Sequence, residues 1–117
     1  MEPHMPPAID DSTLSQELRR GTLILAVLSA LGQGEQCGAD LRTILGAAGL
    51  PIEEGALYPM LRRLETQGLL VSERRFEDSR VKRFYTLSAA GHAAQHTMLA
   101  QWHALSESLK RLNGAQQ

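Results

Sequence analysis

The sequence predicts a mainly α fold carrying one small two-stranded β-hairpin. Three observations predict it. Apolar residues recur at helical spacing in three stretches before position 68. Two short runs of strand-forming types then flank turn chemistry at Glu77-Asp78-Ser79. A long helical stripe closes the chain.

Taken in order, residues 1–11 hold Pro3, Pro6 and Pro7 with little apolar material and read as a flexible leader. Ser12 or Thr13 is placed to cap a short helix through Arg20. The first long helix is expected from about Gly21 to Leu31, with Ile24, Val27, Leu28 and Leu31 on one face; Gly32 and Gly34 end it. A second runs from about Ala39 to Ala48, burying Leu41, Ile44, Leu45 and Ala48, and Gly49 and Pro51 stop it. A third starts near Glu53 and ends at Gly68. Leu57, Met60, Leu61 and Leu64 face inward; the opposite arc presents Gly55, Tyr58, Arg62 and Thr66. Pro59 sits early, where a lost backbone donor costs least.

Leu69 to Arg75 reads as a strand, and Phe84 to Leu87 as its return. Ser88 suits the N-cap of a last helix from about Ala89 to Leu112. Its apolar positions Met98, Trp102, Leu105, Leu109 and Leu112 step by four and three alternately, the 3.5-residue period of a coiled-coil-like seam. A helix this long, after a complete small domain, predicts a second subunit to cover it; the plainer alternative folds it back onto the chain's own first helix. The expected division is a leader over 1–11, a three-helix and hairpin domain over 12–87, a dimerisation helix over 88–113 and a tail over 114–117.

At 117 residues the chain is one domain with room for an association helix. Apolar residues make up 43% and aromatics 4%, so the core must be built of Leu, Ala, Val and Ile. Formal net charge is −1, but its distribution is uneven. Seven of the 12 basic residues (Arg62, Arg63, Arg74, Arg75, Arg80, Lys82 and Arg83) lie between 62 and 83 against four acids, while the stretch before Leu18 has no Lys or Arg. A local cationic footprint of this kind suits nucleic acid. Cys37 is the single cysteine, which fits a reducing cytosol. No apolar run is long enough for a membrane span and the start does not read as a secretion signal, so a cytoplasmic protein is expected.

Three helices and a two-stranded hairpin make a winged helix-turn-helix. Within that class the motifs are specific. Gly21-Thr22-Leu23 opens the first long helix and Gly38-x-x-Leu41 lies in the second. The sharpest run is Gly55-Ala56-Leu57-Tyr58-Pro59-x-Leu61-x-Arg63-Leu64-Glu65-x-x-Gly68-Leu69-Leu70, followed by Arg80-x-Lys82-Arg83-Phe84-Tyr85-x-Leu87-Ser88-x-x-Gly91. On these residues, roughly Leu18 to Leu112, the chain resembles the PadR family of bacterial transcriptional regulators, in its short form with one C-terminal helix. Glu53 and Ala56 stand where the family often has Ser and Thr, Ser79 where Gly is common at the wing tip, and Cys37 and Ala39 where His or Tyr and Tyr flank the second-helix glycine. The lost hydroxyls at 53 and 56 change the expected operator contacts, and Glu53 and Glu54 repel a nearby phosphate.

The resemblance implies a double-stranded DNA partner with a pseudo-palindromic operator, held by a homodimer. Tyr58 and Arg62, one helical turn apart, are the candidates for a phosphate bond and for a base-edge or second phosphate contact, against the plainer reading of a solvated helix face. Arg63 is a further candidate, with Glu65 and Glu73 as alternative partners. Arg80, Lys82 and Arg83 are the expected wing contacts, clamping the backbone beside the groove or entering the minor groove; alternation puts Lys82 and Phe84 on one side and Arg83 and Tyr85 on the other, so one cation is expected to point away from DNA. Met98, Trp102, Leu105, Leu109 and Leu112 are the expected dimer interface. Trp102, with Met98, is also placed to stack a flat aromatic effector, as short members of the family do. His92 and His96 at i, i+4, with His103, lack a completing ligand and read as a solvated face; no metal or cofactor is expected. Cys37 reads as a small buried residue. No phosphate-cradling loop, partnered nucleophile or paired carboxylates are present, which argues against an enzyme. The competing function is a winged-helix adaptor that binds protein and not DNA.

Overall fold

The computed structural model describes residues 11–114. The expected leader, apart from Asp11, and the last three residues of the tail lie outside them. Five helices and a three-stranded antiparallel sheet follow in the order α1 (Asp11–Arg20), α2 (Leu23–Gly32), β1 (Gln36–Cys37), α3 (Gly38–Ala47), α4 (Glu54–Thr66), β2 (Leu70–Glu77), β3 (Arg80–Leu87) and α5 (Ala89–Leu112). The helices match the sequence reading to within two residues at most ends. The sheet does not: β1 adds a third strand on the far side of β3, pairing Gln36 with Tyr85 and Cys37 with Phe84. Two residues are too few to show period-two alternation. Both hairpin strands also extend to the turn, pairing Glu77 with Arg80.

The core forms where α2, α3, α4 and the sheet meet, and Val27, Leu28, Leu41, Leu57 and Leu61 have no solvent exposure. Ile44 and Ala48, expected inside, are exposed, because α3 presents only Leu41 and Leu45 to the core. Both α3 and α4 end in a Schellman motif. Leu50 and Leu69 amides donate to the carbonyls of Leu45 and Leu64 at 2.8 and 2.9 Å, satisfying carbonyls that the last turns leave open. Pro59 lies in the sixth position of α4 and not its first turn, so the bond to the Gly55 carbonyl is forfeited; Gly55 is exposed, which lowers the cost of that loss.

Helix α5 is anchored at its start. Ser88 caps it by accepting from the Gly91 amide at 3.0 Å and donates its own hydroxyl to the Gly68 carbonyl at 2.6 Å. The Ser88 amide donates to Leu69 O at 3.0 Å. This docking needs glycine at 91, because a Cβ there would collide with the Leu69 carbonyl. The first half of α5 then lies along α2, with Gln95 donating to Ser29 at 3.3 Å and Met98 packed against the core. Its second half leaves α2, and Trp102, Leu105, Leu109 and Leu112 are exposed. The fold-back alternative holds up to Met98, and beyond it the helix presents an exposed apolar stripe. No described helix is long and apolar enough to cross a membrane.

Candidate nucleic-acid interface

Helix α4 sorts its residues by angle. Leu57, Leu61 and Leu64 are buried, and Gly55, Pro59, Arg62 and Thr66, spaced four, three and four, form the exposed outer ridge. Tyr58, expected on that outer arc, is half-buried and packs against the core. Its ring lies over the start of α3. A Cβ at Gly38 would meet the Tyr58 hydroxyl at 2.5 Å and Cζ at 2.7 Å, so a glycine there makes room for the ring.

Tyr58 thereby borders a cleft of about 390 Å³ between the start of α3 and the wing, together with Arg80, Lys82 and Arg83. Four of the six residues read from sequence as DNA contacts thus meet at one place. Lys82 and Arg83 both border it, although strand alternation sends them to opposite faces of β3. The N-terminus of α3 also borders the cleft, and sequence reading did not include it among the contacts. Its N-cap is Cys37, buried and making no side-chain capping bond, so the first-turn amides keep free donor capacity toward an anion. The signal was present only as Gly38, whose purpose requires knowing that Tyr58 lies on it.

The wing is braced against α4 on one face. Ser72 donates to Glu65 at 2.7 Å and receives the Arg83 guanidinium at 2.8 Å. Tyr85, on the same face, is buried; burial pushes its phenol above the ordinary value, opposed by the Arg83 charge. On the other face Arg75 is held by both carboxylate oxygens of Glu35 and by Glu73, and lies 4.5 Å over the Phe84 ring. The hydrogen bond and charge of Arg75 hold the Glu73 carboxyl below its usual range. Arg75 is therefore a brace, and Glu65 and Glu73 are engaged by Ser72 and Arg75, not by Arg63. Arg63 faces away from the wing, into a second groove with Ala56 and Met60. Beyond the Arg74–Arg83 pair, Phe76 and Val81 face each other at the hairpin tip and are exposed.

His92, His96 and His103 lie on exposed parts of α5, His103 edge-on to Trp102 at 5.2 Å. Among the described residues no group of three potential ligands is placed to hold a metal. Neither cleft is bordered by Trp102 or Met98.

Residues 27–97 match the Transcriptional regulator PadR-like family. The chain is 38% identical over 101 residues to Transcriptional regulator Rv3488 of Mycobacterium tuberculosis, covering 86% of this chain and 92% of that one. It superposes on the crystal structure of a PadR family transcriptional regulator from Eggerthella lenta with a TM-score of 0.81 and 40% identity, over 86% of this chain and 89% of the other. A Streptococcus transcriptional regulator gives a TM-score of 0.75 at 26% identity, over 83% and 97%. With more than half of its length matched by the family and relatives this similar along nearly their whole chains, the protein belongs to the PadR-like family of transcriptional regulators.

Proposed function

We propose that this regulator is a sequence-specific DNA-binding repressor, acting as a homodimer in the cytoplasm and released from its operator by a small-molecule effector or another signal. The observation that carries the reading is the grouping of Tyr58, Arg80, Lys82 and Arg83 around the start of α3, beside the exposed ridge that bears Arg62. A backbone phosphate in that cleft accepts from the tyrosine hydroxyl, the α3 amides and the wing cations. The ridge then enters the major groove, where Arg62 reaches a base edge. Its Gly55 and Pro59 positions carry no long side chain, so the helix approaches closely. Arg63, on the far flank, adds charge toward the phosphate backbone rather than a base contact.

The exposed half of α5 is the dimer contact. Leu105, Leu109 and Leu112 are 64%, 57% and 82% exposed, and covering each contributes roughly 1.5–3 kcal/mol at full burial. Leu14 and Leu18 on α1 are exposed too and extend the apolar surface available to a partner. Two-fold pairing sets the readers on half-sites about one helical turn apart. Trp102, still 42% exposed, is available at that seam to stack a flat effector, whereas Met98 faces its own core.

Binding to the regulator's own promoter and to random DNA of equal length, compared at ~150 mM salt, tests the reading. Tight binding to the promoter alone is expected; equal affinity ends the repressor claim. The exposed Phe76–Val81 pair, beside Glu77 and Asp78, favours a second reading, an adaptor whose wing tip docks on protein. Arg62→Ala with Lys82→Ala separates the two, abolishing promoter repression under the first and leaving it unchanged under the second.

A further inference from the structure

Away from the wing, a second groove of about 840 Å³ opens between α1, the start of α2 and the flank of α4. Its volume lies within the roughly 300–1,000 Å³ of small-molecule sites. Leu23, Ile24, Ile52 and Met60 give it an aliphatic lining, without an aromatic ring. Arg19, Arg20, Arg42 and Arg63 stand around it against one acid, Glu53. Two of these cations are engaged, Arg20 with Glu17 at 3.2 Å and Arg42 with Glu54 at 3.6 Å. Among the described residues the guanidiniums of Arg19 and Arg63 have no acidic partner, and Arg19 is half-buried. A partly desolvated cation gains from a counter-ion, and the counter-ion that fits here must also cover aliphatic surface.

We infer that this groove binds an aliphatic carboxylate, its head on the Arg19 and Arg63 guanidiniums and its chain on Leu23, Ile24, Ile52 and Met60. The charge complement selects an anion, and the ring-free lining selects an alkyl body over a flat aromatic one. Ala56, Met60 and Arg63 belong to the same helix as the outer ridge with Arg62, so the ligand loads the reader's flank and withdraws Arg63 from the DNA field. Ligand binding itself does not depend on DNA binding; only this regulatory consequence rests on the proposed function.

Calorimetry of the full chain, without DNA, tests the site with octanoate and its uncharged isostere octanamide. Saturable octanoate binding is expected, with octanamide at least about tenfold weaker. Arg19→Gln weakens octanoate by a similar factor, and Gln16→Trp, an exposed α1 position bordering the groove, blocks it sterically. Absence of octanoate binding, equal affinity for acid and amide, or indifference to both variants overturns the proposal. So does a change of sedimenting mass in Gln16→Trp, which assigns the groove to a second subunit, or loss of DNA affinity in Arg19→Gln with octanoate binding intact, which assigns it to phosphate. A protein that binds octanoate but no promoter refutes the repressor reading alone.

Discussion

Replacing Gly91 by Ala puts a methyl group where the α4–β2 connection crosses the first turn of α5. The new Cβ falls inside contact distance of the Leu69 carbonyl oxygen, with the carbonyl carbon at 3.1 Å and Leu87 Cβ at 3.3 Å. Backbone, unlike the end of a long side chain, cannot swing aside. The α5 start must therefore retreat by about 1 Å, stretching the bonds from Ser88 N to Leu69 O and from Ser88 Oγ to Gly68 O, now 3.0 and 2.6 Å. Each is a net ~1 kcal/mol interaction, and overpacking adds roughly 1–3 kcal/mol. A loss of about 3–5 kcal/mol is expected if both bonds are lost, a large share of the ~5–15 kcal/mol typical of a whole domain. Urea unfolding followed by circular dichroism measures it, at one fixed protein concentration because dimerisation would otherwise shift the midpoint. Gly46→Ala is the control: it lies in the last turn of α3 with nothing within 4 Å of its Cβ, so it should stabilise by up to ~1 kcal/mol. A Gly91→Ala protein within ~0.5 kcal/mol of the parent would refute the close-approach argument.

Four further outcomes are expected. Ser79→Gly relieves a left-handed serine, φ 63° beside Asp78 at φ 51° in a two-residue hairpin turn, and should raise stability by ~0.5–1 kcal/mol; a lower urea midpoint would contradict this. Tyr58→Phe keeps the ring over Gly38 and removes the hydroxyl, so fluorescence anisotropy should register about tenfold weaker promoter binding with an unchanged thermal midpoint, and unaltered affinity would remove Tyr58 from the interface. Leu105→Glu places a charge in the exposed α5 stripe and should give folded monomers in sedimentation at micromolar concentration; persistent dimers would place the contact elsewhere. Glu73, its pKa depressed by Arg75, stabilises the fold at pH values above the unfolded carboxylate value of 4.5, and that contribution disappears as pH falls through the lower folded value. Glu73→Gln should flatten the stability profile between about pH 5 and 3, and an unchanged profile would show the Arg75 pairing to be inert.

Periodicity located the helices and the 3.5-residue stripe through Trp102, Leu105, Leu109 and Leu112, because burial of one face repeats along the chain and can be counted; turn chemistry and the clustering of basic residues located the wing. Motif likeness added the family. Neither could rotate Tyr58 off the outer ridge, since its position is settled by a glycine 20 residues earlier that leaves space for the ring. Nor could charge counting separate braces from free cations: Arg75 and Arg80 look alike in sequence, yet Arg75 is bound to Glu35, 40 residues away. Met98 belongs to the stripe by spacing and to the protomer's own core by packing, because α5 parts from α2 just after it. The strand β1 and the arginine-rimmed groove exist only through contacts between distant segments. Local chemistry determines which elements form; which of their polar side chains stay available depends on what the folded chain brings against them.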